Sequence, residues 1–418
     1  MPAYRSRVID TELAEALQYP GAVLLEGPRA CGKSATGRHH AASSIQLDTD
    51  PGAVTLAALD PARLLVGARP RFIDEWQLAP QVWNSVRAAV DREDDASFIL
   101  AGSAVPADDA TRHSGAGRML RFKMRPMSLA ESGHSAGDVR LSELLATPAD
   151  PVSGASDLTV PDLAEVLVRG GWPGLQTLPL RQAVNRLRSY LDDTARIDLP
   201  RLEDEPRRDP DAVLRLVRAL GRSVATEVSI AALARAASAG DERMTDATVQ
   251  SYLGALSRVF AIEDQPSWGP HLRSRDRVRK APRRHLIDPS LAAAAVGAGA
   301  DRLLTDLGYF GQLFESLVVR DLRVYAEPLG GVVRHYRDSA GREVDAIIEL
   351  PDGSWLAIEI KLAASREDSA AESLLRFVSN LDASRTPPPT AMIIITGGQY
   401  AYTRADGIHV VPIGALAQ

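Results

Sequence analysis

Along residues 1–146, short apolar runs alternate with stretches whose apolar positions recur at three and four residues. This alternation predicts an α/β unit with a parallel sheet. Strands buried on both faces read as continuous hydrophobic runs, and the crossovers between them as amphipathic helices. Strands are placed at Ala22–Leu25, Ile45–Leu47, Arg71–Ile73, Phe98–Ala101 and Met119–Met124, and a helix over Leu78–Val90. A loop rich in Pro, Ser, Gly and Asp, Thr147–Thr159, ends the unit. Helices follow at Pro161–Val168 and Leu180–Asp193 around the turn Gly170-Gly171-Trp172-Pro173-Gly174, and read as a helical lid over 160–203. Glu203–Asp211, with its charges and two prolines, predicts a linker. The stretch Asp211–Ile262 predicts three helices, the last from Thr245 to Val259 with Thr245 as its N-cap, within a winged-helix-like region over 208–290. From Leu303 a helix precedes strands at Val332–Tyr336, Glu343–Leu350, Trp355–Lys361 and Met392–Ile395, a second α/β unit over 300–418.

A chain of 418 residues is too long for one hydrophobic core, so several domains are expected. No segment reads as a membrane span, the N-terminus is charged where a secretion signal needs apolar residues, and Cys31 is the only cysteine. These features point to a reducing compartment, the cytoplasm, with no membrane partner. The net charge of −6 excludes the chain as a whole from being an electrostatic nucleic-acid binder, so any such contact needs a local patch. Lysine is scarce: among 48 basic residues only Lys33, Lys123, Lys280 and Lys361 are lysine. Two of these fall inside the chemical motifs below, where a compact ammonium suits the chemistry better than a planar fork.

Gly27-Pro28-Arg29-Ala30-Cys31-Gly32-Lys33-Ser34 matches G-x-x-x-x-G-K-[ST] between a strand and a helix. The glycines let backbone N–H groups turn toward phosphate oxygens, and the helix N-terminus adds its dipole. Lys33 is expected on the β- and γ-phosphates of ATP and Ser34 on Mg²⁺. Cys31 reads as a small loop residue. Forty-one residues after Lys33 comes Phe72-Ile73-Asp74-Glu75. Asp74 suits a Mg²⁺ contact, and Glu75 suits polarisation of an attacking water, which separates an ATP hydrolase from a P-loop kinase. Ser103, after the strand Phe98–Ala101, is placed to sense the γ-phosphate. Arg118 reads either as an arginine finger, in cis or in trans across a homo-oligomer, or as a surface arginine.

In the second α/β unit, Glu343-Val344-Asp345 begins one strand and Ile358-Glu359-Ile360-Lys361 ends the next. Alternation puts Glu359 and Lys361 on one face. If Asp345 pairs opposite Glu359 or Lys361 and not opposite Ile360, a D…E-x-K nuclease core results. This requires an odd number of loop residues or a bulge. Asp345 and Glu359 would then hold a divalent cation, and Lys361 would orient water or steady phosphorane charge. Glu315 shares an apolar helix stripe with Val318, Val319 and Leu322, where a metal site would supply the partner its carboxylate needs. The plainer alternative is a structural ion pair on an exposed strand face. Residues His271–His285 carry seven Arg or Lys and one Asp, and read as a phosphate-contacting wing for DNA or RNA or as a solvated basic loop.

These motifs in this order (GPRACGKS, FIDEWQLAP, the strand ending AGS, GRMLRFKMRPMSLAES, RGGWPGL, the FES helix, REVDAIIE and AIEIK) resemble a family of bacterial and archaeal ATPases. In that family an AAA-type ATPase is joined to a C-terminal domain of unknown function with a restriction-endonuclease-like, PD-(D/E)xK core. The resemblance covers nearly the whole chain. It implies nucleotide contacts at Lys33 and Ser34, Mg²⁺ and water roles at Asp74 and Glu75, and a nuclease-like cluster of Glu315, Asp345, Glu359 and Lys361. Ala101 stands where the family often has threonine, and Ser34-Ala35 where it usually has two threonines. The function expected is ATP hydrolysis coupled to a nuclease-like, nucleic-acid-directed domain. The alternative is a non-nucleolytic ATP-dependent switch that binds a protein or DNA partner and carries an inert nuclease fold.

Overall fold

The computed structural model describes residues 4–92, 95–104, 115–202, 208–239, 243–270 and 281–418. Two compact units share them. The first comprises Met1–Pro126, Arg196–Arg207 and Gly254–Ala261, and the second Met127–Ala195, Arg208–Leu253 and Ile262–Gln418. Residues 127–146, read from the pattern as part of the ATPase unit, thus group with the second. Among the described residues no helix is long and apolar enough to cross a membrane.

The first unit is built on strands β1 (Gly21–Glu26), β2 (Ser43–Gln46), β3 (Arg71–Asp74), β4 (Ser97–Gly102) and β5 (Met119–Lys123). They lie in the order β2-β3-β4-β1-β5, all parallel. The central β4 is buried at every residue, as its run SFILAG predicts for a strand covered on both faces. Helix α1 (Asp10–Ala16) precedes β1, and three helices connect the strands: α2 (Lys33–His40), α3 (Pro51–Leu59) and α4 (Val82–Val90). The helix expected over Leu78–Val90 is shorter than its periodicity suggests. Pro80 cannot sit in a helix interior, so Trp76–Leu78 forms a separate 3₁₀ turn and α4 starts at Val82. Trp76, Trp83, Val86, Phe98 and Leu100 close the core on that side.

The second unit joins a helical layer to a seven-stranded mixed sheet. Its helices are α5 (Leu129–Ser132), α6 (Leu141–Ala146), α7 (Val160–Arg169), α8 (Leu180–Asp193), α9 (Pro210–Arg222), α10 (Ile230–Ala237), α11 (Asp246–Arg258), α12 (Pro289–Val296), α13 (Ala300–Thr305), α14 (Leu307–Ala326) and α15 (Glu367–Ser379). The last residues of α11 fall in the first unit. Thr245 caps α11 as expected, its hydroxyl accepting from Thr248 N at 3.1 Å. The strands are β6 (Val139–Arg140), β7 (Ser153–Ala155), β8 (Val332–Arg337), β9 (Glu343–Glu349), β10 (Trp355–Lys361), β11 (Ala391–Thr396), β12 (Tyr400–Thr403), β13 (His409–Pro412) and β14 (Leu416–Ala417). The large sheet runs β7-β12-β13-β11-β10-β9-β8, and β6 pairs with β14. β8, β9 and β10 form an antiparallel meander, while β10 and β11 are parallel with α15 as their crossover. Trp268, Tyr336, Trp355 and Phe377 pack as one aromatic group between sheet and helix, Trp268 and Trp355 with ring centres 4.9 Å apart. β7 lies inside the predicted loop 147–159. Its residues, Ser-Gly-Ala, have no strand pattern of their own and are ordered by pairing with β12, far along the chain.

Candidate nucleotide site and C-terminal carboxylate cluster

The phosphate loop follows the end of β1 at Glu26 and leads into α2. Two of its positions require glycine. A Cβ on Gly27 would lie 2.0 Å from Met124 O, and Gly32 adopts φ 115° as the N-cap of α2. No side chain caps that helix, so its first N–H groups remain directed at the loop. Lys33 is buried, and its Nζ donates to Gly27 O at 2.8 Å and Pro28 O at 2.7 Å. Cys31 is fully buried against Met124 O, and its role is packing. Arg29 pairs with Asp198 at 2.7 Å on the surface. One residue escaped the motif. Buried Arg7 donates to Cys31 O and to Arg125 O, each at 2.8 Å, and pins the loop from outside the P-loop pattern.

Asp74 ends β3 with 2% exposure. Its Oδ2 accepts from Gln46 Nε2 at 3.3 Å, whereas its Oδ1 has no partner. Burial raises its pKa, against the neighbouring Ser34 hydroxyl, which lowers it. A buried carboxylate oxygen without a partner, beside a hydroxyl, fits a divalent cation better than any protein donor nearby. Ser34 and Asp74 are therefore the residues that would hold Mg²⁺, which would neutralise phosphate charge there.

Glu75 is one of few non-glycine residues at positive φ (φ 54°, ψ 44°), a conformation costing about 1–3 kcal/mol and common where a side chain must be aimed. Its Oε2 accepts from Ser103 Oγ at 3.3 Å and from Gln77 Nε2. Gly102 lets this junction close, since a Cβ there would meet Trp76 Nε1 at 2.8 Å. The structure thus brings Asp74, Glu75 and Ser103 to one end of the sheet, where the P-loop also lies. Arg118 is not with them. Its carbonyl accepts from Ala22 N at the start of β1, the far end of the strand from the P-loop, and its side chain pairs with Asp91. The reading as a finger for this chain's own site is corrected accordingly.

In the second unit the β9–β10 register pairs Ile358 with Ala346, so the next step sets Asp345 opposite Glu359. The connecting residues, 350–354, are odd in number, as the D…E-x-K arrangement required. Lys361 Nζ donates to Glu359 Oε2 at 2.6 Å and to Asp345 Oδ2 at 3.0 Å, and Ile360 N donates to the same Asp345 oxygen at 3.0 Å. Glu315 joins them from α14, but its partner is Arg283. Arg283 also donates from Nη1 to Asp345 Oδ1 at 3.3 Å and from Nη2 to Glu343 Oε2 at 3.0 Å. Burial pushes Glu315 and Glu359 up to about 8, with Asp345 adding to the effect. For Asp345 burial acts in the same direction, but Lys361 and then Arg283 overcome it and hold its carboxyl below the usual range. Both Asp345 oxygens are engaged, and among the described residues no group of three or more His, Cys, Asp or Glu is set to hold a metal ion. The expected divalent site at Asp345 and Glu359 does not fit this arrangement.

Arg283 was visible only as one of seven basic residues in 271–285. Of that segment, 271–280 lie outside the described residues. The rest is no solvated loop: Arg283 N and Gln265 N exchange backbone hydrogen bonds with each other's carbonyls, and Arg284 pairs with Asp264. The segments MSLAES and RGGW meet in a buried knot. Arg320 bonds Asp288 at 2.8 Å and Asp321 at 2.6 Å. Asp321 accepts from Leu129 N, and Asp288 from Gly171 N. Their role is structural.

A parallel sheet with a phosphate loop after β1 and an acidic pair after β3 defines the class of P-loop nucleotide-binding domains. Residues 19–133 match the family model described as an AAA domain, AAA_14, and the chain carries an AAA-type ATPase domain there. Two models described as domains of unknown function match further on, DUF8612 over 160–302 and DUF4143 over 310–416. No curated protein matches the chain. Among solved structures, the Walker-type ATPase PABY2304 of Pyrococcus abyssi is similar at 15% identity over 70% of this chain and 96% of its own, with a TM-score of 0.41. The Aeropyrum pernix ORC1 protein in complex with DNA (14%, 75% and 95%, TM-score 0.25) and the Thermotoga maritima RuvB Holliday junction branch migration motor (17%, 62% and 89%, TM-score 0.26) are also similar.

Proposed function

We propose that this chain hydrolyses Mg²⁺-bound ATP at the site formed by Gly27–Ser34, Asp74, Glu75 and Ser103, and couples nucleotide state to a nuclease-like, nucleic-acid-directed C-terminal domain. The observation that carries the first part is the buried Asp74 with one unpartnered oxygen beside Ser34. Lys33 neutralises the β- and γ-phosphates, Ser34 and Asp74 hold the ion, Glu75 takes a proton from the attacking water, and Ser103 positions Glu75. For the second part, the support is Asp345, Glu359 and Lys361 on adjoining strands, in the order of a PD-(D/E)xK core. Phosphate contacts would come from the basic stretch 271–280.

A second reading, a non-nucleolytic switch, is favoured by the occupation of the carboxylates by Arg283 and Lys361. One experiment separates the outcomes: ATP turnover and cleavage of labelled single-stranded, linear and branched DNA, with and without Mg²⁺ or Mn²⁺, for wild type, Glu75→Gln and Lys361→Ala. Turnover stimulated by DNA supports nucleic-acid coupling. Turnover indifferent to every nucleic acid tested removes it. Cleavage lost in Lys361→Ala would establish a nuclease.

A further inference from the structure

We infer that the guanidinium of Arg283 is the resident cation of the C-terminal carboxylate cluster, standing where a nuclease of this core type would bind a divalent ion, so that the site is metal-free and hydrolytically silent. The inference rests on the nuclease-like reading of this domain. A single nitrogen, Nη1, is shared by Glu315 Oε1 and Asp345 Oδ1, so the guanidinium occupies a carboxylate that would hold the ion, while Nη2 reaches Glu343.

The other oxygens of Asp345 and Glu359 are also engaged. Lys361 and Ile360 N take the second oxygen of Asp345, and Lys361 and Ser373 Oγ take the two of Glu359, the latter at 3.4 Å. Arg283 is no stray surface residue. It is 5% exposed, and its backbone is fixed by paired hydrogen bonds with Gln265, whose own Nε2 donates to Asp345 O at 3.0 Å. The cation and the carboxylate it serves are thus set by one buried framework. The lone Lys361 and Arg283 divide the cluster between them, which suits their chemistry. An ammonium serves two close oxygens as a point charge, and a planar fork bridges carboxylates that are further spread. A guanidinium balances charge but coordinates no water and does not lower the pKa of one, so the hydrolytic role of a metal ion has no substitute here.

The test uses the full chain without nucleotide, so that the P-loop contributes no phosphate-bound ion. Mn²⁺ is titrated and the free ion followed by electron paramagnetic resonance. Wild type and Asp345→Asn are expected to bind Mn²⁺ alike. Arg283→Leu is expected to gain one site, about tenfold or more tighter than any in wild type, and to lose it again with Glu359→Gln added. A wild-type site abolished by Asp345→Asn overturns the inference while leaving the nuclease-like reading in place. This arm needs no Arg283 variant, so it decides even if Arg283→Leu does not fold. If Arg283→Leu keeps its melting transition and its ATP turnover yet gains no site, the nuclease-like reading itself fails.

Discussion

Ser103 Oγ lies 3.3 Å from Glu75 Oε2, although 28 residues separate the two. β3 and β4 are neighbours in the sheet, so their C-terminal ends meet beside the P-loop and the serine holds the carboxylate of a residue at positive φ. On the proposed reading this pairing makes Glu75 a placed base with a supporting hydroxyl, and it sets apart two kinds of variant.

Glu75→Gln is expected to lower ATP turnover by about 10²–10⁴-fold, the usual contribution of a general base, and to leave ATP affinity near that of wild type. Ser103→Ala should lower turnover less, because it loosens the base without removing it. Steady-state phosphate release together with equilibrium binding of a fluorescent ATP analogue checks both. A Glu75→Gln protein that turns over normally would return the site to the kinase class.

Lys33→Ala should abolish stabilisation by nucleotide. At about one hundred times its Kd, a ligand that binds only the folded state adds roughly 2.7 kcal/mol. Thermal melting with and without ATP and Mg²⁺ should show an upward shift in wild type, and none in the variant. An equal shift in both would place the nucleotide elsewhere.

Breaking the Arg320–Asp288–Asp321 knot should be far more damaging than any surface ion pair. All three side chains are buried, so Asp288→Ala leaves a buried guanidinium half-paired and should cost about 3–5 kcal/mol. Arg63→Ala, which loses an exposed pair with Asp60, should cost less than about 1 kcal/mol. Urea titrations of the two variants give the comparison.

The carboxylate cluster should make stability fall as pH rises toward 8. Glu315 and Glu359 are raised from 4.5 to about 8, so between those values the folded chain binds more protons than the unfolded one. Their stabilising effect is complete at the acid end of that window and is lost as pH passes through 8, by at most about 1.4 kcal/mol per unit for each group. Asp345, held low, acts below the window and leaves this slope untouched. Melting temperatures between about pH 5.5 and 8 should decline less steeply in Glu359→Gln, since that variant no longer titrates there.

The local chemistry of the nucleotide site was legible because it is written in short range. Gly27 to Ser34 are contiguous, and Asp74 and Glu75 end a strand whose hydrophobic run shows in the pattern. Arg7 was not legible, since nothing near it announces that it will reach Cys31 O and Arg125 O. Gln77 was missed for the same reason. Its contact with Glu75 depends on the 3₁₀ turn that Pro80 forces. The C-terminal motif was read with the correct face, because strand alternation is a local property, whereas its register was left as a condition that the five residues 350–354 meet. The occupant of its carboxylates was not, and for Arg118 the pattern left open an arginine finger or the surface residue that pairs with Asp91.

By itself the sequence determined where the five strands of the first unit lie, where the phosphate loop sits, and which side chains share a strand face. Each of these follows from period, spacing and backbone stereochemistry within a few residues. Only the tertiary structure decided that Ser103 supports Glu75, that Asp288, Arg320 and Asp321 share one buried knot, and that Arg283 fills the carboxylate cluster. Apart from the adjacent Arg320 and Asp321, those relationships join residues 28 to 62 positions apart. An arginine carries the same charge whether it faces water or a buried aspartate, so its partner is chosen by burial and sheet order.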